Sequence, residues 1–360
     1  MIAALTRLAI PRRTCVPHLG FLRAIGSRGG CGFADEPRGV LAYVTGAAGF
    51  LGSHLTDRLL RDGWDVVGID NLATGDERNL REARANVRFA FVQGDVSRPW
   101  ALWSEELPAA LRRPDAVFHL ASPASPVHYE RLALETMAVN GVGTMHAVAY
   151  AQGAGAKLLY ASTSESYGDP LEHPQRETYW GNVNPIGIRS CYDESKRYGE
   201  AYVTTAVRKL GVDARIVRIF NTYGPRMQAG DGRVIPNFCV SALRGEPLTV
   251  YGDGSQTRSF CYVDDLIDGI VRLGTLPNLG GRVVNVGNPD EYTIRQLAAV
   301  TARLAGVALL TEDRPLPPDD PTRRKPDITL ARALLGWEPA VSLETGLART
   351  LDFFRTSAPA

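Results

Sequence analysis

The first pattern of apolar and polar positions that predicts structure begins near residue 40. Residues 40–44 form a short apolar run, which predicts a buried strand. Residues 53–61 carry their leucines on one face and are followed by Gly63, so they predict a helix that ends there. Residues 65–70 are again largely apolar and predict a second strand. Strand, helix and strand in this order form a βαβ unit.

The same alternation continues through most of the first 220 residues. Four further segments predict strands, at residues 87–93, 116–120, 157–161 and 214–220. Two longer segments predict helices, at residues 139–152 and 192–210. Strands that alternate with helices form a parallel sheet covered by helices on both faces. We therefore predict an α/β protein with a Rossmann-type, doubly wound parallel sheet.

A glycine-rich turn lies between the first predicted strand and the first predicted helix. Gly46, Gly49 and Gly52 occupy this turn, and Asp70 ends the next predicted strand. Glycines spaced in this way allow a tight turn, close approach of a pyrophosphate to the backbone, and close packing of helix on sheet. Asp70 can accept hydrogen bonds from ribose hydroxyls, but it would repel a 2′-phosphate. The pattern predicts binding of NAD rather than NADP.

The local composition of the sequence changes after residue 220, where glycine, proline and turn-forming pairs become frequent. We predict a flexible leader at residues 1–38, an NAD-binding Rossmann domain at 39–220, and a smaller substrate-binding region at 221–356. The last region is expected to be interleaved with the first domain. The first 34 residues contain arginines and no acidic residue, so an organelle transit peptide is the alternative for the leader.

Composition narrows the classes of partner. The chain has 40 Lys and Arg against 39 Asp and Glu, a formal net charge of +1, so we expect neither nucleic acid nor an anionic membrane as partner. No apolar stretch approaches the ~20 residues that a membrane span needs. The five cysteines are irregularly spaced, which predicts neither a disulfide framework nor a metal site. Reduced thiols favour a cytoplasmic location.

A second group of candidate residues follows the predicted strand at 157–161. Thr163, Ser164 and Glu165 stand where that strand ends, and open α/β sheets carry their active sites at such ends. Tyr192 and Lys196 are four residues apart, which places them on one face of a helix. We expect the Lys196 ammonium to lower the pKa of Tyr192 from about 10 and make it a general base.

Several longer stretches carry a resemblance to a known family. With its glycine turn and Tyr-x-x-x-Lys pair, the chain resembles the extended short-chain dehydrogenase/reductases, and more narrowly the UDP-glucuronate decarboxylases, or UDP-xylose synthases. The resemblance extends over residues 40–354. The stretches that carry it are HLASPASP at 119–126, ASTSESY at 161–167, GDP at 168–170 with HPQ at 173–175, NPIG at 184–187, CYDESK at 191–196, RIFNTYGPRM at 218–227, GEPLTVYGDGSQTR at 245–258, RRKPD at 323–327 and LGWEP at 335–339.

The resemblance implies an enzyme that uses NAD to decarboxylate UDP-glucuronate to UDP-xylose through a UDP-4-keto intermediate. Ser164 stands where related sugar dehydratases have an acidic Asp, and Arg324 matches a decarboxylase arginine that faces the sugar carboxylate. One alternative is a decarboxylase that releases the UDP-4-keto-pentose, and another is a nucleotide-hexose 4-epimerase or 4,6-dehydratase. The implied catalytic residues are Tyr192, Lys196, Thr163, Ser164, Glu165 and Arg324.

The resemblance also implies a set of binding residues. NAD is expected to contact Gly46, Gly49, Phe50, Leu51, Gly52, Asp70, Asn71, Thr74, Gly75, Asp95, Val96, Leu120, Ser122, Ala161, Tyr192, Lys196 and Thr222. The UDP-sugar is expected to contact Tyr129, Asn221, Arg233, Asn237, Tyr251, Gln256 and Arg258.

Two further expectations follow from the resemblance. A homodimer built on the helices at 139–152 and 192–210 is implied, and the alternative is that both helices are buried within one subunit. Position 138 is Ala where many relatives have Lys. This departure puts substrate affinity, or the balance between release and reduction of the ketone, in doubt.

Overall fold

The structure, a computed structural model, describes residues 39–315 and 323–357. The predicted leader therefore lies outside the described residues. The strands are β1 (Leu41–Thr45), β2 (Asp65–Asp70), β3 (Phe89–Gln93), β4 (Ala116–His119), β5 (Lys157–Thr163), β6 (Ala214–Ile219), β7 (Thr222–Tyr223), β8 (Leu248–Tyr251), β9 (Thr257–Ser259), β10 (Cys261–Tyr262), β11 (Val283–Val286), β12 (Glu291–Thr293), β13 (Thr311–Arg314) and β14 (Arg323–Arg324).

The helices connect and cover these strands. They are α1 (Phe50–Arg61), α2 (Arg81–Arg84), α3 (Ala101–Ser104), α4 (Pro126–Arg131), α5 (Ala133–Ala138), α6 (Thr144–Ala154), α7 (Ser190–Leu210), α8 (Val234–Arg244), α9 (Val263–Thr275), α10 (Ile294–Ala305), α11 (Thr329–Leu335) and α12 (Leu343–Ser357). Within the described ranges, no helix is both long enough and apolar enough to cross a membrane.

Seven strands form one parallel sheet in the order β11-β6-β5-β4-β1-β2-β3. The chain moves outwards from β1 through β2 to β3, and then returns to the other side of β1 and continues through β4, β5 and β6. The strand order thus reverses between β1 and β4. A doubly wound sheet opens a crevice at the carboxyl ends of its strands at this reversal. The predicted Rossmann-type fold is confirmed.

Apolar cores lie on both faces of the sheet. Alternate residues of β1 point to opposite faces, so Val44 packs with the leucines of α1, whereas Tyr43 packs with Val148 of α6 and Val203 of α7. Because the strands are buried on both faces, their sequences read as nearly continuous apolar runs. This is why the six predicted strands agree with the structure within two residues at each end.

The predicted helix at 139–152 differs from the structure. The helical segment begins at Ala133, and a π-helical turn at Val139–Gly143 separates α5 from α6. The wider turn places the buried Asn140 side chain against α7, where its Nδ2 donates a hydrogen bond to Ser195 Oγ at 3.0 Å. A single insertion of this kind breaks the regular helical period and is common at functional sites.

The part of the chain after residue 220 contributes to the first sheet as well as to a region of its own. Strand β11 pairs with β6 and so completes the sheet of the predicted NAD-binding domain. Three smaller sheets, β12-β9-β14, β13-β8 and β10-β7, lie in this later part. The predicted domain boundary near residue 220 stays a prediction.

Two glycines of the helices provide a matched test of packing. A Cβ at Gly199 of α7 would lie 2.2 Å from the buried hydroxyl of Tyr160 in β5, whereas a Cβ at the exposed Gly153 of α6 would meet nothing within 4 Å. We expect Gly199→Ala to lower the free energy of unfolding by about 1–3 kcal/mol because α7 must move away from the sheet. Gly153→Ala should raise it by roughly 0.5–1 kcal/mol. Urea denaturation measures both, and equal stability of the two variants would contradict this packing.

Candidate active site

A cavity of ≈ 1150 Å³ lies where the carboxyl ends of the strands meet the later part of the chain. The glycine turn after β1, the ends of β4 and β5, and the start of α7 form one side of it. Residues of α8, β9 and β14 contribute the other side. The cavity therefore sits at the reversal of strand order, where the fold predicts a ligand.

The glycine turn forms a cradle for a phosphate group. Gly46 has φ 72°, and a Cβ there would lie 3.0 Å from the backbone of Ala121. A Cβ at Gly52 would lie only 2.0 Å from the carbonyl oxygen of Gly46, so no side chain fits at this position. Gly49 is the N-cap of α1 and supplies no side-chain cap. The first N–H groups of α1 therefore remain available to an anionic pyrophosphate.

Asp70 lies at the end of β2 beside this cradle. Its Oδ2 accepts a hydrogen bond from Ala48 N at 2.9 Å, and its Oδ1 accepts one from Leu72 N at 2.8 Å. Burial raises the pKa of Asp70, and these two bonds oppose that shift. Each oxygen keeps a lone pair for a ribose hydroxyl. Gly75, which we predicted to contact the cofactor, does not line the cavity, and a Cβ there would lie 2.9 Å from Asp70 Oδ1.

Most of the other predicted binding residues share one location, the cavity wall. Ala138 also lines it and adds no charge there. The predicted cofactor residues on the wall are Phe50, Leu51, Asn71, Thr74, Asp95, Val96, Leu120, Ser122, Ala161 and Thr222. The predicted substrate residues on it are Tyr129, Asn221, Arg233, Asn237, Tyr251, Gln256 and Arg258.

Tyr192 lies near the start of α7 and is 6% exposed. Its ring stacks on that of Tyr129, with ring centroids 5.0 Å apart and an interplanar angle of 11°. Its hydroxyl forms a hydrogen bond with the side chain of Thr163 at the end of β5. Burial raises the pKa of Tyr192 above its usual value, and the Thr163 bond opposes that rise. The phenol is therefore protonated at neutral pH in the protein alone.

Lys196 lies one turn further along α7. Its Nζ donates a hydrogen bond to the carbonyl oxygen of Ala161 at 2.8 Å and lies 5.8 Å from the Tyr192 ring centroid. Burial lowers the pKa of Lys196 to about 7. Our expectation that this ammonium lowers the pKa of Tyr192 is wrong for the protein alone. The desolvation of a buried phenol outweighs the effect of a lysine that is directed towards the strand.

Glu165 follows Thr163 and Ser164 and forms a buried ion cluster. Its Oε2 accepts hydrogen bonds from Arg189 Nη2 at 2.8 Å and from Arg324 Nη2 at 3.0 Å, and its Oε1 accepts one from Arg324 Nη1. Burial alone would raise the pKa of Glu165, but Arg324 and then Arg189 lower it to about 2. Glu165 is therefore an anion, and Arg324 is held in a bidentate pair on the cavity wall.

Guanidinium groups also line the part of the cavity predicted to hold the UDP moiety. Strands β9 and β14 are paired so that Arg258 lies opposite Arg324. Arg233 precedes α8 and donates to Asp231, with Nε to Oδ2 at 2.9 Å. Several arginines in one cavity suit a ligand that carries several anionic groups.

Three residues of this region were missed by the sequence analysis. Arg189 and Asp193 flank the predicted Tyr192 in the chain, and Asp231 holds the predicted Arg233. The only indication in the sequence was that Arg189 lies between the stretches NPIG and CYDESK and that Asp193 lies within CYDESK. The described residues contain no group of three or more His, Cys, Asp and Glu side chains that could hold a metal ion.

The fold and the cradle define a dinucleotide-binding α/β enzyme. The chain belongs to the NAD dependent epimerase/dehydratase family, and the sequence model of that family matches residues 42–287. UDP-glucuronic acid decarboxylase 2 of Arabidopsis thaliana is 48% identical over 340 residues, which cover 94% of this chain and 74% of that protein. UDP-glucuronic acid decarboxylase 1 of Xenopus tropicalis is 48% identical over 327 residues, covering 90% and 74% of the two chains. The predicted resemblance is confirmed.

Solved structures agree with this assignment at the level of the fold and the cofactor. A UDP-glucose 4-epimerase from Thermotoga maritima has a TM-score of 0.80 at 30% identity, covering 88% of this chain and 99% of that one. A UDP-glucuronic acid 4-epimerase from Bacillus cereus, in complex with UDP-glucuronic acid and NAD, has a TM-score of 0.78 at 30% identity with the same coverage. The prediction of NAD as cofactor is confirmed.

Asp70 should decide which dinucleotide binds. Asp70→Asn keeps the shape of the side chain but removes its charge, and a hydrogen bond to a charged group contributes about 1.5–3 kcal/mol. We expect the Kd for NAD to rise roughly tenfold or more and the discrimination against NADP to fall. Isothermal titration calorimetry measures both constants. Asp76→Asn is the control, since Asp76 is outside the cavity and pairs with Arg78. An unchanged Kd for NAD in Asp70→Asn would refute this role.

Proposed function

We propose that this enzyme decarboxylates UDP-glucuronate to UDP-xylose and retains NAD through the reaction. The observation that carries the proposal is the ion cluster that Glu165, Arg189 and Arg324 form on the cavity wall. Glu165 directly follows Thr163 and Ser164 in the chain. The similar UDP-glucuronic acid decarboxylases support it across nearly the whole chain.

The first step is oxidation at carbon 4 of the sugar. When held by the glycine turn and Asp70, oxidised NAD would supply a hydride acceptor for this carbon and a positive charge in the cavity. A positive charge near a phenol stabilises the phenolate, which offsets the effect of burial on Tyr192. Tyr192 then takes the proton of the 4-hydroxyl, and Thr163, already bonded to the Tyr192 hydroxyl, steadies the oxygen as its charge changes.

The second step is loss of carbon dioxide from the 4-keto acid. Arg324 and Arg189 can orient the sugar carboxylate because arginine binds carboxylates through two parallel hydrogen bonds. The C5–C6 bond breaks readily because its electron pair delocalises into the ketone at carbon 4. After carbon 5 gains a proton, the ketone is reduced and Tyr192 returns its proton to the 4-oxygen.

The alternative of a 4,6-dehydratase is disfavoured by the residue at position 164. A dehydratase must protonate a leaving hydroxyl, and the Ser164 hydroxyl is a poor acid. The nearest carboxyl group in the chain, Glu165, is held as an anion by its two arginines, and an uncharged hexose brings no second carboxylate that would raise its pKa. Two guanidinium groups near the sugar also suit a glucuronate better than an uncharged hexose.

The test is product analysis. We expect purified protein with UDP-glucuronate and catalytic NAD to give carbon dioxide and UDP-xylose without net NADH, as read by mass spectrometry and proton NMR. Accumulating NADH with a 4-keto-pentose would show that the ketone is released. Absence of carbon dioxide would refute the decarboxylase, and turnover of UDP-glucose or dTDP-glucose would then favour the hexose enzymes.

A variant of the proposed base links this activity to the site. Tyr192→Phe should lower kcat by about 10²-fold or more and leave NAD binding unchanged. Tyr202→Phe is the matched control, because Tyr202 is on the same helix but outside the cavity. Full activity of Tyr192→Phe would exclude this mechanism.

We also propose that the enzyme is a homodimer. The segment from α5 to α6 packs on α7, yet Leu134 is 78% exposed and Met137 is 48% exposed. Met145 and Tyr198 are exposed on the same two helical segments, and the Tyr198 hydroxyl lies 3.5 Å from the Met145 sulfur. Val142, in the π-helical turn between α5 and α6, is 44% exposed as well. An exposed apolar face of this kind supports an interface between two copies.

Light scattering tests the dimer. Wild-type protein should have twice the chain mass of 39.1 kDa, and the pair Leu134→Glu with Met137→Glu should reduce the mass to that of one chain, because charges disrupt an apolar interface. Val87→Glu is the control, since Val87 is exposed elsewhere. A monomeric wild type would contradict the proposal.

A further inference from the structure

Decarboxylation consumes one proton from solvent in each turnover, a requirement that rests on the proposed function. The carboxylate on carbon 5 is replaced by hydrogen, so the balance is R–COO⁻ + H⁺ → R–H + CO₂. Tyr192 supplies no net proton, because it takes one from the 4-hydroxyl and returns it when the ketone is reduced. With NAD and a UDP-sugar in the main cavity, a second path from solvent would supply this proton to carbon 5.

A second cavity of ≈ 190 Å³ lies behind Glu165. Glu165 and Arg189 line both cavities and so form the partition between them. Asp169, Asn182 and Asn184 line the second cavity and are exposed, which connects it to solvent. Polar walls of this kind favour water inside.

Asp193 lines this second cavity from α7 and does not line the main one. It is 7% exposed, and its Oδ1 has no hydrogen-bond partner among the described residues. A buried carboxyl oxygen without a partner is costly unless water or a proton satisfies it. The charged and titratable groups that act on Asp193, or on which it acts, are Glu165, Arg189, Arg324, Glu194, Cys191, Tyr129 and Tyr192.

We propose that Asp193 takes a proton from water in the second cavity and passes it to Glu165, which delivers it to carbon 5. The C5–C6 bond breaks, its electron pair forms an enolate with the ketone, and carbon dioxide leaves. Carbon 5 of the enolate then takes the proton from Glu165, and Asp193 reloads Glu165 from solvent. Asp193 does not touch the sugar. It acts through Glu165 by supplying that residue with protons, so it is a positioning residue and not a catalytic one.

The directions in which the pKa values of Asp193 and Glu165 are shifted fit this order of proton transfer. Burial, and then the negative charge of Glu165, raise the pKa of Asp193 to about 7, so it can hold a proton near neutral pH. Glu165 releases its proton easily because Arg324 and Arg189 hold its pKa low. The substrate brings a second carboxylate to these arginines, and a like charge raises the pKa of Glu165. Substrate binding thus brings the two carboxyl groups closer in proton affinity.

The decisive variant is Asp193→Asn, which keeps the shape of the side chain but cannot carry the proton. We expect kcat to fall by roughly 100-fold, with the Kd values for NAD and UDP-glucuronate changed by no more than about twofold. Raising the imidazole concentration at constant pH and ionic strength should restore kcat in this variant and leave wild-type kcat unchanged. A purely structural loss would not respond to a small proton carrier.

Glu194→Gln is the matched control. Glu194 is the next residue on α7, acts electrostatically on Asp193, and forms a partly exposed ion pair with Arg197 at 3.5 Å. Its kcat should stay near that of wild type. If Asp193→Asn does not fold, Val183→Trp narrows the second cavity from another wall residue and should lower kcat about tenfold without weakening binding.

The possible outcomes distinguish a failure of the proposed proton path from a failure of the proposed function. A wild type that makes UDP-xylose beside an Asp193→Asn variant with kcat within about twofold would overturn the path alone. A large loss in Asp193→Asn that imidazole does not restore would also overturn it, and so would a folded Val183→Trp with unchanged kcat. A wild type that releases no carbon dioxide from UDP-glucuronate would refute the proposed function and the path together.

Discussion

The bidentate pairing of Arg324 with Glu165 joins parts of the chain that lie 159 residues apart. Glu165 follows the end of β5, Arg189 is the N-cap of α7, and Arg324 belongs to the short strand β14. A buried carboxylate needs cationic partners, and removing one partner of a buried pair costs about 3–5 kcal/mol. The need to neutralise one side chain therefore fixes the later part of the chain against the first sheet, and it does so at the cavity wall.

The Tyr192 phenol on α7 depends on a different constraint, its burial. The phenol is stacked on Tyr129 and has one hydrogen bond to Thr163, and Lys196 is directed to the carbonyl of Ala161. Burial keeps the phenol protonated and brings the pKa of Lys196 to about 7. The proposed base is therefore protonated in the protein alone, and a cationic ligand bound in the same cavity would favour its phenolate.

The sequence predicts the parts of this structure that depend on local pattern. Buried parallel strands are apolar along their whole length, and Gly52 is required because its Cβ would overlap the Gly46 carbonyl, so both are visible in the chain. The π-helical turn at Val139–Gly143 is not, because it depends on the contact of Asn140 with Ser195 in another helix. Arg189 and Asp193 were missed for the same reason. Nothing in their own surroundings shows that the chain brings Glu165 beside them.

The competition for Arg324 offers a reason why such a site would bind substrate better than product. In the protein alone, Glu165 holds both guanidinium nitrogens of Arg324 that face it. A glucuronate carboxylate can share the guanidinium group of Arg324 with Glu165, so Arg324 keeps an anionic partner while the substrate is bound. An uncharged pentose or hexose offers no such carboxylate, so the loss of a charged hydrogen bond would remain uncompensated. After decarboxylation Arg324 can return wholly to Glu165, so the same pairing that selects the substrate favours departure of the product.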